Sequence, residues 1–129
     1  MGPALAFRTE TAMQLLPFTT DPAQTFSVSL DGSGYKITAR YNDLAGYWTF
    51  DLARTSDSVV LVSEVPILIG QDLLEPYALQ IGSIIAVDSS RAGLDAGPDD
   101  LNVRVLVYWY SEDDKASLAS FLRRAGVPL

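Results

Sequence analysis

From Thr25 onward the chain alternates between apolar and polar side chains, and the alternation sets the first structural expectations. Phe26, Val28 and Leu30 fall on one face and Thr25, Ser27 and Ser29 on the other, the period of a half-buried strand. Asp31-Gly32-Ser33-Gly34 supplies a glycine-rich reversal. The return strand puts Tyr35, Ile37, Ala39 and Tyr41 opposite Lys36, Thr38 and Arg40. A second turn at residues 42–46 leads into Tyr47 to Arg54, where Trp48, Phe50 and Leu52 share a face. The pattern predicts a three-stranded antiparallel meander with aromatics placed for cross-strand packing.

Elsewhere the pattern is less regular. Met13 to Phe18 predicts a short first strand, ended by Pro17 and the Thr19-Thr20-Asp21-Pro22 cluster. Val59 to Ile69 is apolar but interrupted by Pro66, so it reads as two short strands or one edge strand with a bulge. Residues 71–80 read as irregular or a single helical turn, with Pro76 as its stop. Ile81 to Val87 predicts another strand, in which Gly82 marks a bulge or a close approach. Ser89 to Asp100 reads as a polar loop long enough to reach a neighbour. From Leu101 to Tyr110 both parities are apolar: Val103, Val105, Val107 and Trp109 against Leu106, Tyr108 and Tyr110. Such a strand lies between two layers or is covered by another subunit.

Ser111 then caps an expected helix, with Glu112, Asp113 and Asp114 in its first turn and Leu118, Phe121, Leu122 and Ala125 as its apolar stripe. The expected organisation is one domain: an N-terminal arm (1–12), a small antiparallel β-barrel or sandwich of six or seven strands (13–110), and a helix and tail (111–129).

Composition narrows the chemistry. The chain has 129 residues, enough for one core, and neither cysteine nor histidine. That excludes disulfides, thiolate metal sites, thiol catalysis and a histidine-assisted serine nucleophile. With 9 basic against 16 acidic residues, the formal charge of −7 argues against specific nucleic-acid binding and against direct binding to an anionic membrane. An acidic surface lining a channel would instead let DNA slide past. The opening residues lack a basic stretch followed by a long apolar one, so the chain is expected to fold in a cytosol. The carboxylates at Asp95, Asp99 and Asp100 lack the ligand spacing of a calcium loop, and no cofactor or metal is expected.

Two runs carry a resemblance. Asp21-Pro22-Ala23-Gln24-Thr25-Phe26-Ser27-Val28 and Gly46-Tyr47-Trp48-Thr49-Phe50-Asp51, followed by Gly70-Gln71-Asp72-Leu73-Leu74 and a closing aromatic strand, resemble the baseplate plug proteins of contractile-tailed bacteriophages. The resemblance implies a non-enzymatic structural virion protein, a plug or tube-to-hub connector around the tail axis. It further implies a ring of copies (hexameric in preference to trimeric), with tail tube, hub and wedge proteins as partners and assembly in the host cytoplasm. Contacts are expected at Phe7, Asp95, Asp99, Tyr108, Tyr110, Phe121 and Leu122. The competing class is a β-sandwich module that binds a glycan or peptide through an aromatic face; a small hydrolase built on a carboxylate pair is a third.

Overall fold

A computed structural model describes residues 13–90 and 93–111. The expected arm and C-terminal helix therefore lie outside the described residues. Seven strands are present among them: β1 (Met13–Leu15), β2 (Ala23–Leu30), β3 (Ser33–Asn42), β4 (Tyr47–Arg54), β5 (Val60–Pro66), β6 (Ser83–Asp88) and β7 (Val105–Tyr110). They form two antiparallel sheets, one in the order β2-β3-β4-β5 and one in the order β1-β7-β6. Of the two expected architectures the chain adopts the sandwich; the sheets do not close into a barrel.

The meander follows from its turns and its alternation. Asp31 and Gly32 alone make the first reversal, with φ of 55° and 83°, the left-handed pair that matches strand twist in a two-residue hairpin. The expected four-residue turn is thus shorter, and Ser33 and Gly34 join β3. At the second reversal the Asn42 carboxamide oxygen accepts from the amides of Leu44 and Ala45. Between these turns Phe26 faces Ile37, Val28 faces Tyr35, and Ala39 faces Phe50 in unbroken register. Ile37, Trp48, Phe50 and Leu52 are buried in a core shared with Ile84, Ala86, Val105, Val107 and Trp109 of the other sheet. Burying each aliphatic side chain of this set stabilises by about 1.5–3 kcal/mol.

β5 is one edge strand with a bulge, the second of the two expected forms. Pairing with β4 slips between Phe50 and Leu52, and Glu64 takes a positive φ of 54°. The Asp51 carboxylate fills the gap by accepting the Glu64 amide at 2.7 Å. The chain then changes sheets. Ile67 donates to the Trp48 carbonyl, whereas Gly70 and Leu73 donate to Ala86 and Ile84 of β6. Residues 69–73 therefore cover the outer edge of β6. Pro76 does not stop the following turn: it lies within the 3-10 turn Glu75–Tyr77, at its start, where a missing N–H leaves no bond unmade.

Two boundaries differ from the alternation. β7 begins at Val105, because the amides of Val103, Arg104 and Val105 all converge on the Asp100 carbonyl and wind Leu101–Arg104 into a turn. Val103 is consequently 68% exposed and does not face the core. β6 begins at Ser83, because Gly82 has a φ of 111° and lies against β7. A Cβ there would strike the Tyr110 carbonyl and the indole of Trp109. Gly82→Ala should therefore destabilise the fold by about 2–3 kcal/mol, read as a lowered urea midpoint with an unchanged slope.

Candidate functional site

Of the residues expected to make contacts, the four that are described fall on two regions, Asp95 and Asp99 on the loop after β6 and Tyr108 and Tyr110 on the second face of the small sheet. Period-two geometry builds the second face. Ile84, Ala86, Val107 and Trp109 point into the main core, so Ile85, Val87 and Tyr110 point away from it and form a separate buried cluster, with Tyr108 packed against them. Tyr110 lies opposite Met13 in the register and its hydroxyl donates to the Met13 sulfur at 3.1 Å. The small sheet is thus apolar on both faces, as the sequence pattern of β7 requires. Tyr110 is buried, Tyr108 is half-buried, and Phe7, Phe121 and Leu122 lie outside the described residues.

Arg104 organises the loop. It is the sole charge in the apolar run 101–110, and its guanidinium sits between two carboxylates, with Nη1 2.9 Å from Asp88 Oδ2 and Nη2 2.9 Å from Asp100 Oδ2. The same nitrogens donate to the carbonyls of Leu94 and Asp95. Asp88, at the end of β6, is buried and also accepts from the amides of Ser90, Gly93 and Leu94 and from the Ser90 hydroxyl. Asp100 accepts from the Gly97 amide at 2.7 Å. Asp95 turns one oxygen onto the Ile69 amide, and the Gly97 carbonyl accepts the indole N–H of Trp48 at 2.8 Å. Ala96 is driven into the core. The loop is wrapped back onto its own fold, with Leu94, Asp95 and Asp99 on its exposed side.

Electrostatics follow from this geometry. Burial by itself would raise the Asp88 pKa, but the hydrogen bonds from Ser90, Leu94 and Arg104 outweigh it and hold the carboxyl well below the usual range. Asp100 is lowered by Arg104 first and by the Gly97 amide second. Arg104 is raised in turn, chiefly by Asp100. These carboxylates are engaged by the protein's own donors. Among the described residues no group of three or more acidic side chains is disposed to hold a metal ion. Sequence reasoning passed over Arg104 and Asp88; an isolated arginine inside an apolar run was the signal that could have found them.

The two tryptophans and part of the tyrosine set are committed to the interior. Trp48, Trp109 and Tyr35 are buried, Tyr41 packs edge-on against Trp48, and the Trp109 indole donates to the Ile81 carbonyl. Tyr41, Tyr47 and Tyr108 are half-buried, and Tyr77 is exposed.

The family model described as the cyanophage baseplate Pam3 plug gp18 matches residues 13–112. The chain belongs to this baseplate plug family. The match runs from the first residue of β1 to just beyond β7, so it covers the whole sandwich. No curated protein matches the chain. Membership in the plug family gives it a structural role in a phage baseplate, as part of the virion tail and in contact with other baseplate proteins.

Removing the guanidinium from this plug-family sandwich leaves Asp88 buried and under-compensated. Arg104→Met should lower stability at pH 7 by about 3 kcal/mol, measured by chemical denaturation. Because Asp88 and Asp100 titrate below their unfolded-state value of about 3.9, the stability that they add is present at neutral pH and lost as the pH falls. Wild-type stability should decline from about pH 5 downward, and Arg104→Met should flatten that decline.

Proposed function

We propose that the protein is a plug, or tube-to-hub connector, assembled around the axis of a contractile phage tail as a ring of identical copies. A hexamer is favoured over a trimer, to match the tube it would join. Tail tube, hub and wedge proteins are its partners, and assembly takes place in the cytoplasm of the bacterial host. The observation that carries this reading is the family match over the entire sandwich.

The chemistry supports a protein that works by shape. The aspartates around Arg104 are bound by its own donors, and the tryptophans lie in the core. The surface beside the loop retains features suited to protein contacts: Leu94 is 62% and Val103 68% exposed, with Asp95 and Asp99 alongside in the chain. Together with Tyr108, and with Phe7, Phe121 and Leu122 outside the described residues, these are the contacts proposed for neighbours in the baseplate. The charge of −7 suits a wall along which DNA passes without binding.

Cryo-EM of intact tails, with the density assigned by mass spectrometry of the same particles, tests the proposal. The expected result is a closed ring on the tail axis at the junction of tube and hub, with six copies per tail. Placement on the periphery, or absence from the particle, would overturn it.

A further inference from the structure

The two sheets have four outer edges, and three of them are guarded against pairing with another chain. β1, described from Met13, is ended within two residues by Pro17. β6 is covered by the Ile69–Leu73 segment through the amides of Gly70 and Leu73. β5 carries a bulge, a positive φ at Glu64, and Pro66. Short length, cover, bulges, charge and proline are the usual means of blunting a sheet edge.

β2 has none of these. It is eight residues long, pairs with β3 without a register shift, and contains neither a charge nor a proline. The bond from the Tyr41 amide to the Pro22 carbonyl sets the phase of the ladder. Pro22, Gln24, Phe26, Val28 and Leu30 therefore bond inward to β3, whereas Ala23, Thr25, Ser27 and Ser29 turn their backbone groups outward. The Ala23 amide is taken by the Asp21 carboxylate. Thr25, Ser27 and Ser29 are exposed, and no described residue hydrogen-bonds their outward amides and carbonyls. On the inward face Phe26 and Val28 are only half-buried, at the margin of the core.

We propose that β2 is a strand-addition edge that receives an extended segment of a different baseplate protein. This rests on the structural role proposed above. The incoming strand, about six residues long, continues the large sheet, and its apolar residues complete the cover over Phe26 and Val28. The occupant is not a second copy. In the two antiparallel β2–β2 registers that this phase allows at the centre of the edge, Asp21 of each copy falls directly opposite Asp31 of the other or diagonal to it, like charges at both ends. Head-to-tail joining onto β5 meets the bulge and Pro66. The two flanking aspartates instead favour a strand bracketed by lysine or arginine.

Ser27→Pro removes an outward amide and leaves the β3 ladder intact. With this substitution the isolated protein should keep its urea midpoint, yet be incorporated into tails at least tenfold less than wild type. Asp21→Asn combined with Asp31→Asn should lower incorporation severalfold, and an unchanged level would remove the basic flanks from the proposal. In wild-type protein the amides of Thr25, Ser27 and Ser29 should exchange freely in the isolated chain at any concentration and be protected at least 100-fold in assembled tails. Equal incorporation of Ser27→Pro, or protection that appears in the isolated protein as its concentration rises, would overturn the proposal. Wild-type protein missing from tails would instead refute the structural role, so the two failures are distinct.

Discussion

Holding one half-buried guanidinium between two carboxylates is the constraint on which this fold closes. β6 ends at Asp88 and β7 begins just after Arg104, so the ion pair joins two adjacent strands at one end of the sandwich. The loop between them is wound around the charge through the carbonyls of Leu94 and Asp95 and the carboxylate of Asp100. Once wound, it delivers Ala96 and Leu101 to the core and the Gly97 carbonyl to the Trp48 indole. A buried charge pair is weak evidence of net stabilisation, since its desolvation opposes its attraction. Its value here is geometric: every donor of the guanidinium that reaches the loop specifies a position of the backbone.

The tryptophans extend the same logic. Each is buried by its ring and tied by its N–H to a loop carbonyl, Trp48 to Gly97 and Trp109 to Ile81. Both loops are thereby fixed by residues of the opposing strands, and the sandwich becomes rigid at the ends as well as along its sheets. Within that rigid body the four sheet edges are unequal. Evolution of a soluble β protein ordinarily removes pairing edges, so a long, uncharged, regular edge strand left beside three guarded ones is a feature in need of a use. In a baseplate plug the use is close at hand, because such a protein is built into its neighbours.

Much of the large sheet was legible in the sequence, because period-two alternation and turn chemistry are local. Phe26-Val28-Leu30 and Trp48-Phe50-Leu52 announce their faces, and Asp31-Gly32 announces its turn. What the alternation could not convey was tertiary. Val103 continues the apolar parity of β7, yet three amides converging on Asp100 remove it from the strand. Pro76 reads as a stop and in fact opens a 3-10 turn. The Ser89–Asp100 loop reads as free because its anchors, Asp88, Arg104, Ile69 and Trp48, are distributed over four separate segments of the chain. The double apolar parity of β7 was the exception. It correctly required a second covered face, which Ile85, Val87 and Tyr110 supply.

The structure also changes the meaning of the acidity. Among the described residues seven aspartates, Asp21, Asp51, Asp57, Asp72, Asp88, Asp95 and Asp100, accept a backbone amide at a turn, bulge or loop anchor. A short carboxylate is well suited to closing such turns, and a small sandwich with many reversals needs several of them. Much of the negative charge is therefore tied into the turns and loop anchors of the fold. The interactions of the protein follow from where its backbone and apolar groups remain unmet. That criterion directs attention to the β2 edge and to the exposed side chains at Leu94 and Val103.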